Sequence, residues 1–122
     1  METNMIADRD SHLNLQLPLE REEFTVSWTF TSDVGQRMAA GFIPDTFEDR
    51  WFILMEDGWL YFHRAQTGTC IFGLKVDITT EETKVSQGWV NRGTSYISES
   101  IKKDIETVRI LINQYFQTAR RL

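Results

Sequence analysis

Apolar and polar residues alternate with unusual regularity through the first half of the chain. Leu13, Leu15, Leu17 and Leu19 interleave with Asn14, Gln16 and Pro18, the pattern of a half-buried strand. Pro18 cannot donate to a ladder, so this strand is expected to lie at a sheet edge or to end there. Phe24, Val26, Trp28 and Phe30 then alternate with Thr25, Ser27, Thr29 and Thr31 in the clearest strand signal of the sequence. Glu20 to Glu23 are the expected turn of a first hairpin, and residues 1–10, which are polar, are expected to fray.

Asp33 to Ala40 reads as a short helix, with Ser32 or Asp33 capping its start and Gly41 stopping it. Phe42 to Asp49, which holds Pro44, reads as a loop. The strand Arg50–Glu56, the pair Asp57-Gly58 and the strand Trp59–Arg64 predict a second hairpin, because Asp-Gly suits a type I′ turn. Further strands are predicted over Thr69–Ile78 and Lys84–Val90. In the first of these Cys70, Phe72, Leu74, Val76 and Ile78 share the apolar face, with Lys75 and Asp77 opposite.

The pattern then changes period. Ile101, Ile105, Val108, Ile112, Tyr115 or Phe116, and Ala119 fall on one helical stripe, with Ser98 or Ser100 as cap and Glu99 at the positive end. A helix of roughly 20 residues would be about 30 Å long. The predicted fold is therefore α+β: a mostly antiparallel sheet of five or six strands packed against one long C-terminal helix, in a single domain spanning residues 1–122.

Counting outward from Asp57-Gly58 pairs Glu56 with Trp59, Met55 with Leu60, Leu54 with Tyr61, Ile53 with Phe62, Phe52 with His63 and Trp51 with Arg64. One face then carries Trp51, Ile53, Met55, Leu60, Phe62 and Arg64, the natural floor for a helix. The other carries Phe52, Leu54, Glu56, Trp59, Tyr61 and His63, which mixes apolar bodies with polar tips. A single helix covers one face, so the second is expected to curl into a barrel-like wall or to be buried by a ligand, a partner or a second protomer. Self-association into a homo-oligomer is the corresponding expectation.

Composition adds limits. With 41% hydrophobic and 25% charged residues, and eight Phe, four Trp and three Tyr, the chain can build one real core. No apolar run approaches membrane-spanning length, and Met1 to Met5 lack the order of a secretory signal. The lone Cys70 makes no internal disulfide, which suits a cytoplasmic setting. A net charge of −5 argues against duplex nucleic acid as a partner, and Arg120-Arg121 reads as a complement to the helix dipole.

Candidate chemistry gathers where the second hairpin ends. His63 and Arg64 lead into Thr67, Gly68 and Thr69, a composition suited to an anion site in which Arg64 grips bidentately and the Gly68 amides form a donor nest. The competing reading is a plain turn with Arg64 stacked on Trp51. Asn91 and Arg92 could add a second cation or merely approach the helix, and Trp59, Tyr61 or Trp89 could receive a base. Cys70 reads as a small buried hydrophobe. No metal-ligand spacing, cofactor motif or pair of carboxylates set for acid–base work is present in the sequence.

Asp49-Arg50-Trp51-Phe52-Ile53, Glu56-Asp57-Gly58-Trp59-Leu60-Tyr61-Phe62-His63-Arg64 and Thr67-Gly68-Thr69-Cys70-Ile71-Phe72 together resemble a group of small, mostly uncharacterised bacterial and phage proteins. Their centre reads D-x-W-F-I, E-D-G-W-L-Y-F-H-R-S-W-T-G and C-I-F, with an N-R pair further on, and the resemblance covers roughly residues 49–92. Some members stand beside, or are fused to, domains that process ADP-ribose. The resemblance thus implies a link to NAD-derived or ADP-ribose-type nucleotides, or to defence and counter-defence systems that signal with them. His63, Arg64, Thr67, Gly68, Asn91 and Arg92 fall on the group's polar positions, whereas Ala65-Gln66 stands where the group has Ser-Trp.

The leading expectation is a non-enzymatic binding domain for a phosphorylated nucleotide, NAD-derived, ADP-ribose-type or cyclic, which in a phage would sequester a defence signal. Its rivals are a protein–protein or inhibitor module using the aromatic face of the second hairpin, and a small hydrolase using His63. No cofactor and no membrane partner is expected.

Overall fold

Asp57 and Gly58 take positive φ, +54° and +83°, as a two-residue type I′ turn requires. In the computed structural model, which describes residues 6–93 and 100–117, this turn sets the pairing of β2 (Trp51–Glu56) with β3 (Trp59–Arg64). The register is the one obtained by counting outward, from Glu56↔Trp59 to Trp51↔Arg64. The chain continues as a meander through β4 (Cys70–Ile78) and β5 (Glu82–Asn91). It closes against the first strand, β1 (Arg21–Thr31). The result is one five-stranded, fully antiparallel sheet in the order β1-β5-β4-β3-β2.

Helix α1 (Ser32–Ala40) carries the chain from β1 at one edge to β2 at the other. Its N-cap is Thr31, whose hydroxyl accepts the Val34 amide proton at 3.4 Å. Gly41, at φ +73°, ends it by donating to the Arg37 and Met38 carbonyls. A Cβ on Gly41 would run into the Ile53 carbonyl, so only glycine fits both the turn and the close approach.

The C-terminal helix is short rather than long. Helix α2 (Ile101–Ile112), capped by the Ser100 hydroxyl on the Lys103 amide, has 12 residues, about 18 Å of rise. It then widens into a π-helical turn, Asn113–Gln117. The wider pitch lets two successive aromatic residues face the body: Phe116 is buried, while Tyr115 meets Phe42 with ring centroids 4.8 Å apart. Arg37 Nε locks the turn by donating to the Phe116 carbonyl at 2.6 Å. Ser98, Glu99, Ala119 and Arg120-Arg121, which the sequence assigned to this helix, lie outside the described residues.

The sheet is apolar on both sides, as its hairpin register implied. Ile53, Leu60, Phe62, Phe72, Leu74, Val76, Val85 and Val90 meet α1 through Val34 and Met38, and α2 through Val108, Leu111 and Ile112. A smaller cluster, Phe52, Leu54, Tyr61, Cys70 and Trp89, lies on the reverse side. Full burial of a side chain such as Phe52 or Leu54 contributes about 1.5–3 kcal/mol.

Around Phe52, Leu54 and Tyr61 the reverse side is covered by the chain's own N-terminal segment, not by a barrel wall. Ala7 and Leu17 pack into that cluster. The Ala7 amide donates to Ala40 O at 2.8 Å, the Leu15 amide donates to Gly68 O at 2.9 Å, and His12 Nε2 lies 2.7 Å from Ala65 O. Residues 1–5 of the stretch expected to fray lie outside the described residues, while Ala7 and Arg9 are held against the body; the leucine-rich stretch forms no strand and no first hairpin with β1. Its alternation misleads because Leu13, Leu15 and Leu19 point to solvent, whereas the Asn14 amide donates inward to the Arg9 and His12 carbonyls.

β4 also departs from strict alternation. Pairing with β3 passes from Phe62↔Phe72 to His63↔Cys70, leaving Ile71 as an extra residue. That bulge puts Ile71 and Phe72 together in the main core and turns Cys70 to the reverse side, away from the Phe72 face expected for it.

Candidate functional site

Arg64 ends β3 with its guanidinium carbon 5.6 Å from the Trp51 ring centroid, as their cross-strand pairing dictates. One step further out, the Ala65 amide donates to Arg50 O at 2.8 Å, which sets Arg50 opposite Ala65 at the end of the hairpin. The two arginines, with Phe47, Glu48 and Gln66, line an open hollow of about 540 Å³. Among the described residues neither guanidinium is in an ion pair. Phe47 stands on the rim 85% exposed, a large apolar ring left in solvent. The loop holding Phe47 and Glu48 is shaped by Asp49, whose carboxylate accepts the Asp45 and Thr46 amides at 2.7 and 3.0 Å.

The turn after Arg64 does not offer a free donor nest. The Gly68 amide donates to Arg64 O at 2.8 Å, and the Thr69 amide is directed to Thr67 Oγ1 at 3.3 Å. Gly68, at φ +82°, supplies the turn geometry, and a Cβ there would press on Leu13 and Asn14.

His63 faces away from the hollow and is fully buried. Its Nδ1 lies 2.7 Å from Gly68 O and its Nε2 lies 2.9 Å from Arg9 Nη1. Arginine only donates, so Nε2 accepts and Nδ1–H donates, which defines a neutral ring. Burial, aided by the Arg9 charge, lowers its pKa to about 4, against the opposing pull of the Gly68 carbonyl and Glu56. Arg9 also pairs with Glu56 at 3.0 Å, donates to Asn14 Oδ1 at 3.2 Å and lies over the Tyr61 ring at 5.2 Å. This network fastens the N-terminal segment to the sheet.

The other residues singled out in the sequence occupy separate places. Asn91 is buried and donates to Cys70 O at 2.8 Å, while its Oδ1 accepts the Gly93 amide. Arg92 bridges Glu22 at 2.6 Å and the buried Asp104 at 2.8 Å, tying β1 to α2. Trp59 and Trp89 line a smaller hollow of about 270 Å³ with Glu23, Thr25 and Gln87. Lys75 and Arg21 already lie over their rings, at 5.8 and 4.9 Å. Tyr61 is buried beside Trp89, and burial pushes its phenol pKa up. Burial likewise pushes the Cys70 thiol up to about 12.

Of the sequence candidates, then, Arg64 alone lines the arginine hollow, and Arg50, Glu48, Phe47 and Gln66 join it there. Arg50 was within reach of the hairpin register extended by one pair. Phe47 and Glu48 carried no signal, because a loop residue's position depends on how the loop folds. Among the described residues no group of three or more His, Cys, Asp or Glu side chains is placed to hold a metal ion, and no helix is long and apolar enough to cross a membrane. Comparison of the chain with family models, curated proteins and solved structures finds no match in any of the three.

Proposed function

We propose that this protein binds a phosphorylated nucleotide in the Arg50–Arg64 hollow and leaves it chemically unchanged. The observation that supports the reading is the convergence of two guanidiniums, neither in an ion pair among the described residues, on one hollow of a chain whose net charge is −5. Two guanidiniums that share a hollow with a single carboxylate, Glu48, and form no ion pair with it are available to grip a phosphate bidentately. A volume of about 540 Å³ falls within the usual range for small-molecule sites. Glu48 suits the hydroxyls of a ribose, Gln66 an amide-type edge of a base, and the exposed Phe47 ring a stacked base.

The sequence resemblance favours NAD-derived, ADP-ribose-type or cyclic nucleotides over free phosphate, and sequestration of a signal as the biological use. A hydrolytic role for His63 loses its support, since both ring nitrogens are engaged in a buried structural network. A protein interface on Phe52, Tyr61 and Trp59 loses most of its area, because Phe52 and Tyr61 lie beneath the N-terminal segment.

The test is a thermal-shift and calorimetric panel with ADP-ribose, cyclic ADP-ribose isomers and cyclic dinucleotides. A ligand at about 100 times its dissociation constant adds roughly 2.7 kcal/mol, or several degrees for a domain of this size. The expected result is a shift with one class that Arg64→Ala and Arg50→Ala each abolish while the unliganded proteins melt normally. A flat panel, or a shift indifferent to both substitutions, refutes the reading.

A further inference from the structure

Towards β1 the reverse side of the sheet is open, with Thr25, Gln87 and Lys75 exposed, and two cross-strand rows of side chains lie next to each other there. Glu23, Trp89, Gly73 and Tyr61 pair in turn across β1, β5, β4 and β3. Thr25, Gln87, Lys75 and Trp59 form the neighbouring row on the same face. Gly73 interrupts the first row. A Cβ there would lie 2.5 Å from the Trp89 indole, so its absence lets that ring lie down across β4. The hollow of about 270 Å³ that Trp59, Trp89, Glu23, Thr25 and Gln87 line shares no residue with the arginine hollow.

One group in this hollow stands without its usual partner. A buried tryptophan ordinarily gives its N–H to an acceptor. Trp89 is 3% exposed, yet its indole N–H meets no acceptor among the described residues. Among those residues no fully buried side-chain nitrogen or oxygen lacks a partner, so this nitrogen touches solvent, where Trp89 lines the hollow. The Glu23 carboxylate, the Thr25 hydroxyl and the Gln87 amide beside it also make no hydrogen bond or ion pair with another side chain among the described residues.

We infer that this hollow binds one pyranose ring of a neutral saccharide, with a C–H face against Trp59 and its hydroxyls on the Trp89 N–H, Glu23, Thr25 and Gln87. A pyranose has apolar C–H faces that pack on an aromatic ring and a rim of hydroxyls, each both donor and acceptor. The Trp89 N–H needs an acceptor and the Glu23 carboxylate needs a donor, and a pair of hydroxyls supplies both. A phosphate is disfavoured by the Glu23 carboxylate, and the nearby cations are spent on the rings: Lys75 lies over Trp59 at 5.8 Å and Arg21 over Trp89 at 4.9 Å. A wholly apolar ligand would strip these polar groups of water and return no hydrogen bond. The volume lies just under the roughly 300–1,000 Å³ of drug-sized sites, which suits a single ring.

The four tryptophans supply the test, because each gives one indole N–H signal in a proton–nitrogen correlation spectrum. Trp28→Phe, Trp51→Phe and Trp59→Phe assign three signals and leave the fourth to Trp89. The protein is titrated with glucose, galactose, mannose and N-acetylglucosamine to about 50 mM, well above the roughly 1 mM dissociation constant expected of a ligand with about a dozen heavy atoms. One of these sugars should move the Trp59 and Trp89 signals together and leave Trp51, which stands beside Arg64, where it was. Glu23→Ala and Gln87→Ala, at exposed positions that the fold tolerates, should each weaken binding at least about threefold through a lost hydrogen bond. The proposal is overturned if no sugar moves the Trp59 and Trp89 signals, or if both substitutions leave the dissociation constant unchanged. It is also overturned if adenosine or uridine moves those two signals at lower concentration than any sugar, which would make the hollow a base site.

Discussion

Acidification should unfasten the reverse side of the sheet at His63. The ring is fully buried, with Nδ1–H on Gly68 O and Nε2 accepting from Arg9. A proton on Nε2 would set an N–H against the guanidinium in a site without water access. Burial therefore holds the pKa near 4 in the fold, against an ordinary value of 6.5 in the unfolded chain. Between these values the unfolded chain binds more protons than the folded one, so stability rises with pH across that window. The contribution is whole above about pH 6.5, declines as pH falls and is lost by about pH 4. At about 1.4 kcal/mol per pKa unit the total is about 3 kcal/mol, a large share of the roughly 5–15 kcal/mol that holds such a domain together. Urea unfolding of the wild type and of His63→Gln, from about pH 7.5 to about pH 4, isolates this contribution from that of the carboxylates. The wild-type curve should fall more steeply by about 3 kcal/mol over the window. Parallel curves refute the reasoning, as does a His63 ring resonance that titrates near its ordinary value in the folded protein.

Two further outcomes follow from the packing of the same side. Gly73→Ala should destabilise by about 1–3 kcal/mol, because its Cβ would come within 2.5 Å of the Trp89 indole. Alanine ordinarily improves a strand glycine, so an unchanged or raised melting midpoint contradicts the packing. Cys70, whose thiol burial raises to about 12, should resist an aromatic disulfide reagent at about pH 8 in the native protein and react fully once unfolded. Stoichiometric labelling of the native protein within minutes would show that the bulge at Ile71 does not bury it.

What the sequence determined by itself was whatever a few neighbouring residues decide. Asp57-Gly58 dictated the hairpin and, by counting, the two faces of β2 and β3. Gly41 ended α1, and the apolar stripe from Ile101 to Ile112 specified α2. These signals are local because turn chemistry and side-chain period act within about a dozen residues. Tertiary structure decided the rest. Leucines 13 to 19 have the period of a strand, yet β5 takes the place beside β1, and the leucine segment covers part of the reverse face. Ile71 gave no sign of a bulge, but packing both it and Phe72 in the main core turned Cys70 over. Arg64 was legible as a strand-end cation, whereas its companions Arg50, Glu48 and Phe47 became so only through the fold of their loop. His63 looked like a catalyst or ligand in sequence. Its partner Arg9 lies 54 positions away, and only the closing of the N-terminal segment over the sheet made the histidine a buried, neutral fastening.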